Sequence, residues 1–158
     1  MKFSHIKDGR ASMVDITDKP DVERRAVASG EIILKPETIS AIENMQIAKG
    51  EVLGTARIAA IMAVKETSGV IPMCHQVPVT GIDVRFEKSD RAIRAIVEVR
   101  SSGKTGVEME ALHGVSVALL TIWDMVKSAE KDDTGNYPFT EIKDIKVLQK
   151  IKSSDRKP

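Results

Sequence analysis

Residues 115–126 are apolar on nearly every side of a helix, inside a proline-free stretch that runs from about Glu108 to Glu130. A helix with apolar residues on all sides cannot lie on a wet surface. It needs a sheet against one face and often a second subunit against the other. The flanking sequence supplies that sheet. Upstream, Ile82, Val84 and Phe86 alternate, as do Ala95, Val97 and Val99, with Lys88-Ser89-Asp90-Arg91 between them, the pattern of an antiparallel hairpin. Gly103-Lys104-Thr105-Gly106 closes the second strand and opens the helix. Downstream, Ile145, Val147 and Ile151 suggest a last strand.

The N-terminal half adds a strand and two helices. Residues 1–20 are polar and broken by Gly9 and Pro20, so they read as an arm or long loop. Residues 26–34 end in aliphatics and read as a strand. Pro36 suits a first helical position and Glu37 the positive end of a helix dipole. Ile39, Ile42 and Met45 recur at helical spacing, and Gly50 is placed to stop that helix. A second helix starts near Glu51, with Val52, Leu53, Ala56, Ala59, Ala60 and Ala63 as its packing stripe. Gly69 and Pro72 end it, leaving Met73-Cys74-His75-Gln76 in a loop bounded by Pro72 and Pro78. Strand, two helices, hairpin, helix, strand predicts an α+β protein: a ferredoxin-like plait, with helices on one face of a mainly antiparallel sheet. The 158 residues read as one domain, 1–158, with 1–12 a flexible arm and 153–158 a flexible tail.

Composition narrows the function. The 24 basic and 23 acidic side chains nearly cancel, so no global field attracts nucleic acid or an anionic membrane. One Trp, one Tyr and three Phe are too few for stacking on single-stranded bases. The single cysteine, Cys74, excludes an intrachain disulfide and a multi-cysteine zinc site. The N-terminus lacks the apolar core of a signal peptide, and no apolar run reaches the roughly 20 residues of a membrane span. The expected setting is cytoplasmic.

Several residues carry chemistry. His75 lies in a proline-bounded loop and needs no large pKa shift to move protons near neutral pH. Cys74 beside it reads as a small buried filler rather than a nucleophile. Glu108 and Glu110 open the long helix. In extended backbone they share a side, whereas in a regular helix they point about 200° apart, so they cooperate only if the helix starts late. On spacing alone, acidic decoration of a helix N-terminus is the favoured reading of them. Gly103-Lys104-Thr105-Gly106 lacks the Walker pattern and reads as a turn. Asp124 and Lys127 share a helix face inside the apolar segment. Glu110 and Asp124 are separated by about 21 Å of helix at 1.5 Å per residue. A common site therefore needs a long ligand, a late helix start or two subunits, and the apolar middle favours two subunits. Arg24, Lys49, Lys150 and Lys152 are cations at chain junctions that together suit a polyphosphate.

Read in order, Met13-Val14-Asp15, Lys49-Gly50-Glu51-Val52, Thr55-Ala56-Arg57-Ile58-Ala59, Ile71-Pro72-Met73-Cys74-His75, Gly103-Lys104-Thr105-Gly106-Val107-Glu108-Met109-Glu110-Ala111-Leu112 and Thr121-Ile122-Trp123-Asp124-Met125-Val126-Lys127 resemble the cyclic pyranopterin monophosphate synthase family, also called molybdenum cofactor biosynthesis protein C. The resemblance covers about residues 12–152. It implies a ferredoxin-like homohexamer, a trimer of dimers, with its site at a subunit interface. The implied lyase reaction takes a GTP-derived cyclic dihydro nucleotide triphosphate, made by a radical GTP cyclase partner, to cyclic pyranopterin monophosphate and pyrophosphate. Matching motifs imply Asp124, Lys127, Lys49, His75, Glu108 and Glu110 as the catalytic set. Met73, Cys74, His75, Met109, Glu110, Arg24 and Lys150 are the implied substrate contacts. Ring opening and reclosure need proton donors and acceptors, and phosphate cyclisation expels an anionic leaving group. No protein-held metal or cofactor is expected, although Mg2+ can accompany the triphosphate.

The chain departs from the family pattern at Gln76, Trp123 and His113. The Gln149-Lys150-Ile151-Lys152-Ser153 ending replaces a glycine-rich one, leaving Lys150 and Lys152 both open as the phosphate contact. A different class of protein, a non-catalytic oligomeric nucleotide sensor, would keep the cations. It would have no need of His75, the two glutamates and the Asp124–Lys127 pair together.

Overall fold

The computed structural model describes residues 6–7 and 9–153; most of the expected tail lies outside the described residues. Near the N-terminus, β1 (Ile6–Lys7) and β2 (Arg10–Ala11) pair as a small antiparallel ribbon within the segment expected to be an arm. The body then runs β3 (Val22–Ile33), α1 (Pro36–Glu43), α2 (Val52–Val70), β4 (Val79–Lys88), β5 (Ala92–Gly103), α3 (Glu108–Glu130) and β6 (Glu141–Lys152). All pairings in the main sheet are antiparallel, in the order β4-β5-β3-β6. This is the ferredoxin-like arrangement the sequence predicts, with one extra short helix.

The alternations in the hairpin meet one another across it. Ile82 faces Val99, Val84 faces Val97 and Phe86 faces Ala95, so their side chains share the face that the helices cover. On β3 the stretch of that face under α3 carries Ala26, Ala28, Gly30 and Ile32. Small residues there let α3 lie close. A Cβ at Gly30 would sit 2.8 Å from Ile145 Cγ1 and 2.9 Å from Val115 Cγ1, so only glycine fits. Gly114 does the same where α3 meets α2: a Cβ there would lie 2.9 Å from Val64 Cγ2. By length and composition α3 could cross a membrane, but Ala111, Val115, Ala118, Leu119 and Ile122 are fully buried in the core that it forms with the sheet.

Two elements differ from expectation. Ile39 and Ile42 are buried, but α1 ends at Glu43, and Met45 lies beyond it at φ 54° and 76% exposed. A left-handed residue just past a helix is a common terminator, here Met rather than the expected Gly50. In β6 the apolar residues only edge the core: Ile142 packs against it part-buried, while Ile145 and Val147 are 39% and 38% exposed on an edge strand. A bulge also breaks its alternation. Val27 pairs with Gln149 and Ala28 with Val147, which leaves Leu148 as the extra residue. That bulge turns Lys150, opposite Ala26, to the helix-covered face and Ile151 to the other.

Candidate active site

The sequence candidates gather in two clusters at opposite ends of α3. Toward its C-terminus Asp124 holds one ammonium on each carboxylate oxygen. Lys49 Nζ donates to Oδ2 at 2.7 Å and Lys127 Nζ to Oδ1 at 2.8 Å. Lys49 arrives from the turn before α2, where Gly50 adopts φ 98°, and also donates to the Asp124 carbonyl at 2.7 Å. Lys127 is one helical turn beyond Asp124. The three side chains are 45%, 59% and 47% exposed for Lys49, Asp124 and Lys127. Hydrogen bonds from Lys127 and Lys49 lower the Asp124 pKa to about 2, and the bond to Asp124 raises that of Lys127. At neutral pH Asp124 is therefore anionic and Lys127 protonated. Trp123 meets Tyr137 edge-on at 5.6 Å beside this cluster. Nothing in the sequence pointed to Tyr137, which lies in the irregular segment between α3 and β6.

The second cluster surrounds a cavity of about 380 Å³ over the first turn of α3. The 71–78 loop brings Met73, Cys74 and His75 to it, the helix start brings Glu108, Met109 and Glu110, and the β6 bulge brings Lys150. The helix begins at Glu108, not late. Both glutamates nevertheless reach the cavity, because it lies across the helix end, with Glu110 buried and Glu108 nearer the surface. Glu110 is only 2% exposed, and its Oε2 has no hydrogen-bond partner. Burial, reinforced by repulsion from Glu108, raises its pKa despite a hydrogen bond from its own backbone N–H. Cys74 is raised by burial and then by the two glutamates, which suits packing better than nucleophilic attack. Lys150 forms an ion pair with Glu108. His75 Nε2 lies 2.7 Å from the Val14 carbonyl. The N-terminal segment thus forms a wall, with Val14, Ile16 and Lys19 lining the cavity.

Two sequence candidates lie apart. Arg24 is not a wall of this cavity; its Nε and Nη2 donate to the carbonyls of Gly103 at 2.9 Å and Lys104 at 3.1 Å. His113 Nδ1 lies 3.1 Å from Thr67 Oγ1 and ties α3 to α2. Among the described residues, no three His, Cys, Asp or Glu side chains stand close enough to hold a metal ion.

The chain matches the MoaC family over residues 13–153. It belongs to the MoaC family. Similar proteins span nearly its whole length. A Methanosarcina mazei protein named "Probable cyclic pyranopterin monophosphate synthase" is 62% identical over 150 residues, 95% of this chain and 96% of its own length. Proteins of the same name from Archaeoglobus fulgidus and Pyrococcus furiosus are 56% and 54% identical, each covering 96% of this chain and 97% of its own length.

Proposed function

We propose that the protein is a lyase of molybdenum cofactor biosynthesis. It converts (8S)-3',8-cyclo-7,8-dihydroguanosine 5'-triphosphate to cyclic pyranopterin monophosphate and releases pyrophosphate. The observation that carries this reading is the pairing of charged and uncharged proton sources. Lys127 is a protonated donor held by Asp124, and Glu110 is a buried carboxyl biased toward its neutral form. Ring opening and reclosure need both kinds of group near one substrate. Lys127 donates to the base-derived ring, while Asp124 keeps the ammonium charged and accepts a proton in return. Lys49 holds Asp124 in place. Glu110 and His75 move protons on the ring, Glu108 positions it, and Met73, Cys74 and Met109 shape the wall. Lys150 neutralises the phosphate end, while Arg24 holds the turn that precedes α3. A Mg2+ ion belongs to the triphosphate rather than to the protein.

The site is completed by a second copy. Glu110 and Asp124 stand about 21 Å apart along α3, with Val117 midway between them. The outward stripe of α3 between the clusters carries Leu112, Ser116, Leu120 and Trp123, and Leu120 is 58% exposed. Two α3 helices crossing antiparallel about Val117 bring Asp124 of each protomer to Glu110 of the other. Ile58 and Met62 on α2, 63% and 61% exposed, form a separate apolar face. Two different faces suit a closed homohexamer, a trimer of dimers. A radical GTP cyclase supplies the substrate, and the cytoplasm is the setting.

The test is turnover of the cyclic dihydro-GTP compound by wild type and Lys127→Ala, following pterin and pyrophosphate. Production by wild type and its loss in a folded variant support the assignment. Binding by wild type with neither product released makes the protein a nucleotide sensor instead.

A further inference from the structure

We propose that Lys104 is a positioning residue for His75, acting through residues 14–17, which it clamps beside the α3 cavity. The turn from β5 to α3 is fixed first. Arg24 reaches across from β3 and donates to both the Gly103 and Lys104 carbonyls. From that anchored turn, Lys104 Nζ donates to the Thr17 carbonyl at 2.6 Å, a contact across 87 residues of chain. Thr17 in turn donates through its backbone N–H at 2.8 Å and its hydroxyl at 2.6 Å to Asp15 Oδ1, closing residues 15–17 into a small ring. The carbonyl of the preceding residue, Val14, then faces His75 Nε2 at 2.7 Å.

The last link decides the chemistry. A carbonyl oxygen can only accept, so Nε2 must carry hydrogen, and the neutral imidazole keeps its free lone pair on Nδ1. The position of the Val14 carbonyl therefore selects which ring nitrogen can take a proton. Nothing in the 14–17 segment is regular secondary structure, and apart from its own Asp15–Thr17 ring its described side-chain hydrogen bonds to the body are those with His75 and Lys104. Without the ammonium, the side-chain hydrogen bonding of residues 14–17 to the body reduces to the histidine they are meant to orient, with half-buried Val14 and Ile16 left as packing alone. This also gives a role to the Gly103-Lys104-Thr105-Gly106 turn. Its lysine grips backbone, and neither a Walker pattern nor a substrate phosphate is needed to account for it.

The inference rests on the reading that His75 works in the proposed reaction, so the experiment separates the two. Protein with 15N-labelled histidine is compared as wild type, Lys104→Met and Lys104→Arg, in intact full-length assemblies. Nitrogen shifts of His75 and steady-state turnover are read on each. Wild type should show a single neutral tautomer, with hydrogen on Nε2. Lys104→Met should show both tautomers and lose kcat by about 10- to 100-fold, the scale of a displaced catalytic group, with KM little changed. Lys104→Arg should restore both. Because Lys104 is a side chain of a surface turn, the Met variant should fold, and Asp15→Ala loosens the same segment independently with the same tautomer signature. A pure Nε2–H tautomer in Lys104→Met overturns the clamp whatever the turnover. Mixed tautomers with unchanged kcat overturn the positioning role, since the clamp would exist and the reaction would not use it.

Discussion

Toward the C-terminal end of α3, Asp124 stands in the open with an ammonium on each oxygen. At the N-terminal end Glu110 is buried, and one of its oxygens meets no partner. Both are carboxylates on one helix, yet their settings push their pKa values in opposite directions, down to about 2 for Asp124 and upward for Glu110. Two hydrogen-bonded cations outweigh the slight desolvation of Asp124, whereas burial with a like-charged neighbour dominates at Glu110. The two ends thus differ in protonation bias through environment rather than residue type.

Breaking the exposed end should have the largest effect. Lys127→Ala removes the protonated donor and should lower kcat by about 10²–10⁴-fold, the usual worth of a placed general acid, with the fold unchanged by circular dichroism. At the buried end, Glu110→Gln should cost roughly 10²-fold in turnover and should alter stability in a way Lys127→Ala does not. A raised carboxyl pKa means that the Glu110 contribution is fully present below the ordinary value of 4.5 and is lost as pH rises through the raised one. Melting curves should therefore show the Gln variant gaining on wild type with increasing pH. Leu120→Glu, between the two ends, should shift the assembly toward smaller species in light scattering and lower turnover while leaving both ion pairs of Asp124 in place. The smallest effect belongs to Asp124→Asn on stability. Its depressed pKa gives a contribution that is present above 3.8 and lost as pH falls toward 2. Because the group is exposed and screened, the melting difference at neutral pH should be slight.

Most of the fold was legible because its signals are local. Alternation in the hairpin gave the facing pairs Ile82–Val99 and Val84–Val97, and the apolar helix gave α3 with its observed ends. The end of α1 was not legible, since a left-handed Met45 carries no residue-type signal comparable to glycine. Nor was the bulge at Leu148, which depends on pairing with β3 and which turns Lys150 toward Glu108. The candidate residues of the site were readable as motifs, but their division into two clusters was only hinted at by the Glu110–Asp124 spacing. Val14, Lys104 and Tyr137 were missed as site neighbours because a backbone carbonyl, a turn lysine and a loop tyrosine acquire their roles only through contacts distant in sequence.

The central claim is that one site joins the two ends of α3 from different protomers, and subunit mixing tests it most directly. Lys127→Ala and Glu110→Gln chains, each inactive alone, are unfolded together in equal amounts, refolded and assayed for pterin formation. A shared site predicts recovery to about one quarter of wild-type turnover, because an isologous interface formed at random pairs two intact halves that often. Mixtures that stay as inactive as either variant alone, in assemblies shown to contain both chains, would contradict it.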